Sequence, residues 1–250
     1  MKLNGQIVLV TRPQMQSKKL IHLLQIAGAN AQLFTPITIL PKTDCLLTLD
    51  KHFLQADWVF FVSPSAIDVA APYLNFHRFN GSLFCVGQPS AEKLRVISGK
   101  NVYHPEAGQN DTLALLSLPI FQQAFMKKVL IIRGEGGRAD MAHFLHEKGA
   151  HVYIEEVYQR HPIPLDWAQF FMWVQTGLLS AICVTSSEIA QLLFKNAPQE
   201  AQQILKKLLY LVPHVRIQEH LQRLGAEKVI TCAAGDENMV KSLIGALGPL

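Results

Sequence analysis

Short unbroken apolar runs recur along this chain of 250 residues, each ending in a small polar turn. Residues 7–13 read IVLVTRP, 58–65 WVFFVSPS, 83–90 LFCVGQPS and 129–137 VLIIRGEGG. Residues 181–187 read AICVTSS, 209–214 LYLVPH and 229–235 VITCAAG. Helix-spaced segments follow them, among them SKKLIHLLQIAG, SAIDVAAPYL, ADMAHFLHEKGA, SEIAQLLF and VRIQEHLQRLGA. A strand with apolar residues at every position is covered on both faces. Such strands alternating with helices predict a parallel α/β sheet. Gly28, Gly149 and Gly225 each close a helix, where a left-handed cap favours glycine, and a short strand follows each: AQLF, HVYIEEVY and KVIT.

About ten strands are expected in all, which fits two sheets of about five better than one of ten. Pro36 and Pro41 bracket one extended stretch, and Pro162 and Pro164 interrupt another, since proline disfavours helix within and before it. Two connectors mean two crossings. One domain then draws on both ends of the chain and the other is inserted in the middle.

The composition is 49% hydrophobic and 17% charged, with mean hydropathy +0.17, which belongs to a well-buried globular protein. The net charge of +4 lacks the dense basic stripe of a nucleic-acid binder and is compatible with an anionic small ligand. Cys45, Cys85, Cys183 and Cys232 form no CxxC pair and read as reduced thiols. The opening apolar run is too short for a signal-peptide core, and no apolar stretch is long enough to span a membrane. The expectation is a cytoplasmic protein with no membrane and no nucleic-acid partner.

Ligands of parallel α/β sheets bind beyond the carboxyl ends of the strands, where the repeated polar turns fall. Ser63, Ser65, Ser90, Thr185, Ser186 and Ser187 stand where helices begin, and free first-turn amides attract anions. Gly87, Gly134, Gly136 and Gly137 let backbone approach a ligand, while Arg12, Arg133, Arg138 and Arg160 can chelate carboxylates. A serine in such a place caps its helix whether or not it meets a ligand. The glycine loop lacks G-x-x-x-x-G-K-[ST] and G-x-G-x-x-G, so it is not a nucleotide fingerprint. No G-x-S-x-G elbow or H-E-x-x-H pair occurs, and His143 and His146 read as a helix face. Asp236 and Glu237 suit the dipole of the last helix. Tyr158, in EVYQRHP, is expected at the end of a strand, facing an interdomain cleft. It is either a packing aromatic at a hinge or a phenol that gives a proton to a leaving hydroxyl; a phenol is protonated at neutral pH and suits the acid role.

VLVTRP, LIIRGEGGR, EVYQRHP and VTSSEIAQLL, in this order and at this spacing, resemble the uroporphyrinogen-III synthase family over essentially the whole chain. The resemblance implies two flavodoxin-like parallel-sheet domains joined by two extended connectors. One would comprise residues 1–36 plus 164–250 and the other residues 40–158. It implies a cofactor-free enzyme acting on hydroxymethylbilane, a linear tetrapyrrole with eight carboxylates. The sequence itself shows no metal-site spacing and no coiled-coil repeat, so a monomer without a metal is expected. The glycine loop would then serve carboxylates, not phosphate. The implied reaction is loss of water and ring closure with inversion of ring D through a spiro intermediate. Tyr158 is the implied catalytic residue, with Ser63, Ser65, Ser186 and Ser187 as candidate binding positions. Where the family pattern leads one to expect a small hydroxyl residue, Pro213 and His214 stand; His214 can replace that contact, or the loop can bind through its backbone. An unstable substrate leaves room for transient contact with the enzyme that makes it. The alternative from another class is a non-catalytic two-lobed binding protein or sensor for a polyanionic small molecule.

Overall fold

In β1 (Ile7–Val10) all four side chains are buried, and they divide between two cores. Ile7 and Leu9 join one apolar cluster, and Val8 and Val10 join another. Every other side chain of a strand points to the same face, so a strand with helices on both sides must be apolar throughout. The same split recurs in β4 (Trp58–Phe61), where Val59 and Phe61 enter one core and Trp58 and Phe60 the other.

The computed structural model describes residues 3–105 and 115–247, and the chain divides into two units, Met1–Thr38 with His161–Leu250, and Ile39–Arg160. Residues 1–2, 106–114 and 248–250 of the expected domains lie outside the described residues.

The discontinuous unit carries β1, α1 (Gln14–Ile26), β2 (Asn30–Leu33), α6 (Trp167–Gln175) and β9 (Leu179–Cys183), then α7 (Ser187–Lys195) and α8 (Gln199–Lys207). It continues through β10 (Leu209–Val212), α9 (Val215–Arg223), β11 (Lys228–Thr231) and α10 (Asp236–Leu247). Its five strands lie in the order β2-β1-β9-β10-β11, all parallel. The inserted unit holds α2 (Thr43–Gln55), β4, α3 (Pro64–Ala70), β5 (Ser82–Cys85), α4 (Gln88–Ser98) and β6 (Val102–Tyr103). β7 (Lys128–Gly134) and α5 (Asp140–Glu147) follow. Its sheet has the order β6-β5-β4-β7-β8-β3, where β8 is His151–Pro162 and β3 is Ile37–Pro41. The strand order of each sheet reverses once, between β1 and β9 and between β4 and β7. These are the switch points at which open α/β sheets bind ligands.

β3 and β8 are the two extended connectors. The Lys42 N–H donates to Val157 O, and the Ile163 N–H donates to Pro36 O, which sets the two strands antiparallel. This pairing also corrects one expectation. Tyr158 stands inside β8 and not at its end, because the strand keeps a partner in β3 after β7 stops opposite Tyr158. Gly28, Gly149 and Gly225 have φ of 92°, 80° and 96°, the left-handed turn expected of them.

Candidate functional site

At the switch point of the discontinuous unit, β1 runs into Thr11 and Arg12. Thr11 is fully buried, and its hydroxyl donates to Cys183 O at 2.8 Å, tying the end of β1 to the end of β9. Arg12 donates to Asp236 at 2.6 Å, and this partly buried pair joins the first strand's exit to the first residue of the last helix. Thr185, Ser186 and Ser187 follow β9 and are all half-buried. Ser186 is the cap of α7, its hydroxyl accepting the Ile189 N–H at 3.1 Å. The neighbouring helix α9 is capped by His214, whose Nδ1 accepts the Arg216 N–H at 3.1 Å. An imidazole nitrogen thus does at this helix start what the Ser186 hydroxyl oxygen does at α7.

At the other switch point, Ser63 ends the turn after β4 and caps α3, accepting the Ala66 N–H at 3.1 Å. Ser65 is buried in the first turn of the same helix. Gly87 occupies the corresponding place before α4, next in the sheet. β7 ends in Arg133 and Gly134, and the loop turns through Gly136 at φ 68°. Beside this loop lies Tyr158, 1% exposed, its hydroxyl 3.0 Å from the Ser63 hydroxyl. Two of the loop glycines have a packing reason to be glycine. A Cβ on Gly134 would stand 2.5 Å from Tyr158 Cζ, and a Cβ on Gly137 would stand 2.8 Å from Arg133 Cδ.

Three of the four arginines expected as carboxylate chelators, Arg12, Arg133 and Arg138, already hold carboxylates of the protein itself. Arg133 donates twice to Glu156 Oε1, at 3.0 and 3.2 Å, and once to the Arg138 carbonyl at 3.0 Å. Arg138 pairs with Asp140 at 2.5 Å, at a site where its side chain is 78% exposed. Lys42 reaches Glu135 at 3.2 Å beside the same loop. Nothing in the sequence marks Glu156 or Thr11 as a site residue. Glu156 sits in a strand with no motif of its own, and only the register against Arg133 brings it into the site.

The structure therefore gathers the candidate residues at two places. Arg12, Thr185, Ser186 and Ser187 share one switch point, with His214 capping the helix after the adjacent strand. Ser63, Ser65, Arg133, Gly134, Gly136, Gly137, Arg138 and Tyr158 share the other. A concavity of about 730 Å³ in the inserted unit lies elsewhere, lined by Asp50, Tyr73, His77, Val96 and Ile97 among others. It sits by the C-terminal end of α4, and no arginine or lysine among the described residues lines it. Among the described residues no group of three or more His, Cys, Asp or Glu could hold a metal ion, and no helix is long and apolar enough to cross a membrane.

A family model described as uroporphyrinogen-III synthase HemD matches residues 18–241. The uroporphyrinogen-III synthase of Escherichia coli (strain K12) is 30% identical over 198 residues, 77% of this chain and 80% of its own length. That of Proteus mirabilis is 30% identical over 197 residues, 76% of this chain and 98% of its own. Among solved structures, the uroporphyrinogen-III synthetase of Helicobacter pylori 26695 superposes with a TM-score of 0.60 at 16% identity, covering 96% of this chain and 99% of that one. A mutant uroporphyrinogen III synthase from the extremely thermophilic bacterium Thermus thermophilus gives 0.57 at 13% identity, covering 97% and 98%. At these identities the solved structures speak to the fold alone. With the family match spanning most of its length and relatives at 30% identity over three quarters of it, the chain belongs to the uroporphyrinogen-III synthase family.

Proposed function

We propose that this chain is a cyclising lyase of tetrapyrrole biosynthesis that closes hydroxymethylbilane to uroporphyrinogen III, with Tyr158 as the proton donor. Family membership supports the reaction. The observation that carries the residue assignment is a phenol at a sheet switch point, hydrogen-bonded to a helix-capping serine. In this reading the Tyr158 proton passes to the terminal hydroxyl of the bilane as its C–O bond breaks, which releases water and leaves an azafulvene cation. The exocyclic carbon of that cation bonds to the substituted position of ring D, giving the spiro intermediate. Fragmentation and reclosure at the free position invert ring D, and the proton lost there restores the phenol. Holding the chain in one folded geometry biases which carbon attacks.

The substrate carboxylates would be taken by first-turn amides and hydroxyls at Ser65, Thr185, Ser186 and Ser187, the amides near Gly87 and Gly136, and the arginines. The arginines differ in how readily they exchange partners. An exposed ion pair such as Arg138–Asp140 contributes little and is easily replaced. Arg133 is held by both Glu156 and a backbone carbonyl and serves to shape the loop. Arg12, paired and partly buried, lies between these cases. Because Tyr158 is 1% exposed, substrate reaches it only after a rearrangement that uncovers the phenol. The reading places the enzyme in the cytoplasm, without nucleic-acid or membrane partners, and leaves transient contact with the preceding enzyme as a route for the unstable bilane.

Product isomer analysis tests the reading. Hydroxymethylbilane is generated in place, the purified protein is added, and the oxidised porphyrins are separated. Mainly type III product is expected. Only type I product, formed at the spontaneous rate beside a folded protein, would overturn it and leave a binding protein of the synthase's shape.

A further inference from the structure

We propose that Gly134 and Ser63 are positioning residues for the Tyr158 phenol: the missing side chain at 134 seats the ring, and the Ser63 hydroxyl orients its oxygen. The proposal rests on the reading of Tyr158 as proton donor.

The argument begins with strand alternation. On β8, Val152 packs against the core that contains Trp58, Phe60 and Val129. Val157 belongs to the opposite core, with Val59, Phe61, Leu130 and Ile132. Strict alternation would send Tyr158 to the Val152 side. It joins the Val157 core instead, so two successive residues of one strand face the same way. The cause is a bulge: Arg133 pairs with Glu156, and the next residue, Gly134, pairs with Tyr158, so that Val157 is the extra residue. Bulges re-aim side chains, and this one turns the phenol towards the face on which α3 and its cap Ser63 lie.

Gly134 is the residue opposite Tyr158, and any Cβ there would stand 2.5 Å from Cζ and 2.8 Å from the phenol oxygen. The glycine is not required by a left-handed backbone, since Gly134 is absent from the positive-φ positions. What requires it is the ring. At the same end of the ring, Ser63 Oγ stands 3.0 Å from the phenol oxygen and already accepts the Ala66 N–H. A hydroxyl in that state still has its own hydrogen to give. Donated to the Tyr158 oxygen across 3.0 Å, it leaves the phenol's proton for the leaving group.

A double-mutant cycle tests this by steady-state kinetics. Gly134→Ala is expected to lower kcat about tenfold or more, with KM within about twofold, because the reacting proton is displaced while the binding groups stay. In a Tyr158→Phe background the same change should alter kcat by less than about twofold, since the misplaced group is already gone. An equal loss of kcat in both backgrounds, or a rise in KM alone, overturns the positioning role and makes Gly134 a direct substrate contact. Wild-type kcat in Tyr158→Phe overturns the acid role and the positioning role together, so the two failures are distinguishable. If Gly134→Ala does not fold, Ser63 carries the test. Ser63→Ala should lower kcat in the tyrosine background but not in the phenylalanine background, and Ser63→Thr, which keeps the hydroxyl, should restore it. Loss in both backgrounds with Ser63→Ala would likewise overturn the proposal.

Discussion

Among the described residues the Tyr158 hydroxyl has one hydrogen-bond partner, Ser63, and its ring is buried. Removing the oxygen alone therefore costs the fold only about 1 kcal/mol. Tyr158→Phe is expected to melt within a few degrees of the parent protein and to lose roughly 100-fold in kcat, the scale of general-acid assistance. Calorimetry and turnover measured on one preparation check both halves. The cysteines permit a second prediction. Burial pushes the Cys85 and Cys183 thiols up to about 12 from an ordinary value of 9.0. At pH 8 only about one such thiol in ten thousand is ionised, so both should resist a disulfide reagent in the folded protein, whereas the half-buried Cys45 reacts first. The same shift sets a sign for stability. Above pH 9 the unfolded chain releases these protons and the folded chain keeps them until about pH 12, so stability is full below pH 9 and falls through that window. Denaturant midpoints measured from pH 8 to 11 should fall less steeply in a variant with Cys85→Ala and Cys183→Ala than in the parent.

Helix starts are the elements that do most at both switch points. Ser63, Asp166, Ser186 and His214 each accept a first-turn N–H, at α3, α6, α7 and α9. A cap is worth about 1 kcal/mol, so His214→Ala should lower stability by about that amount and His214→Asn, which keeps an acceptor, by much less. Chemical denaturation separates the two variants. At α7, Ser186→Ala with Ser187→Ala is expected to cost about 1 kcal/mol of stability and also to raise KM. A stability loss with unchanged KM would confine these serines to capping. Asp236 shows how an element gains a second role. Its place in the first turn of α10 suits the helix dipole, as its sequence position predicts, and it also holds Arg12 at the exit of β1.

The whole chain is organised so that one unit is contiguous and the other is not. Ile39–Arg160 carries its own sheet and two apolar cores, one on each face. The discontinuous unit needs β1 and β2 from one end of the chain and β9 to β11 from the other. A fragment comprising residues 39–160 should therefore unfold cooperatively by circular dichroism, whereas residues 1–38 alone should show no transition. The alternating architecture, the two sheets and the connectors at the prolines are legible in the sequence because they follow from local patterning. Apolar runs, glycine caps and proline breaks act within a few residues of themselves, and so does the choice of serine or aspartate at a helix start. The placement of Tyr158 follows from nothing local. Its aim depends on a one-residue bulge between strands that lie some twenty residues apart in sequence, and its fit depends on a glycine opposite. The pairing of Arg12 with Asp236 spans the length of the chain, and that of Arg133 with Glu156 depends on strand register. The sequence by itself determined which elements form and which residues stand at the ends of the strands. Only the tertiary structure decided which charges are already matched and which way the phenol points, because register and long-range charge pairing exist only once the strands are side by side.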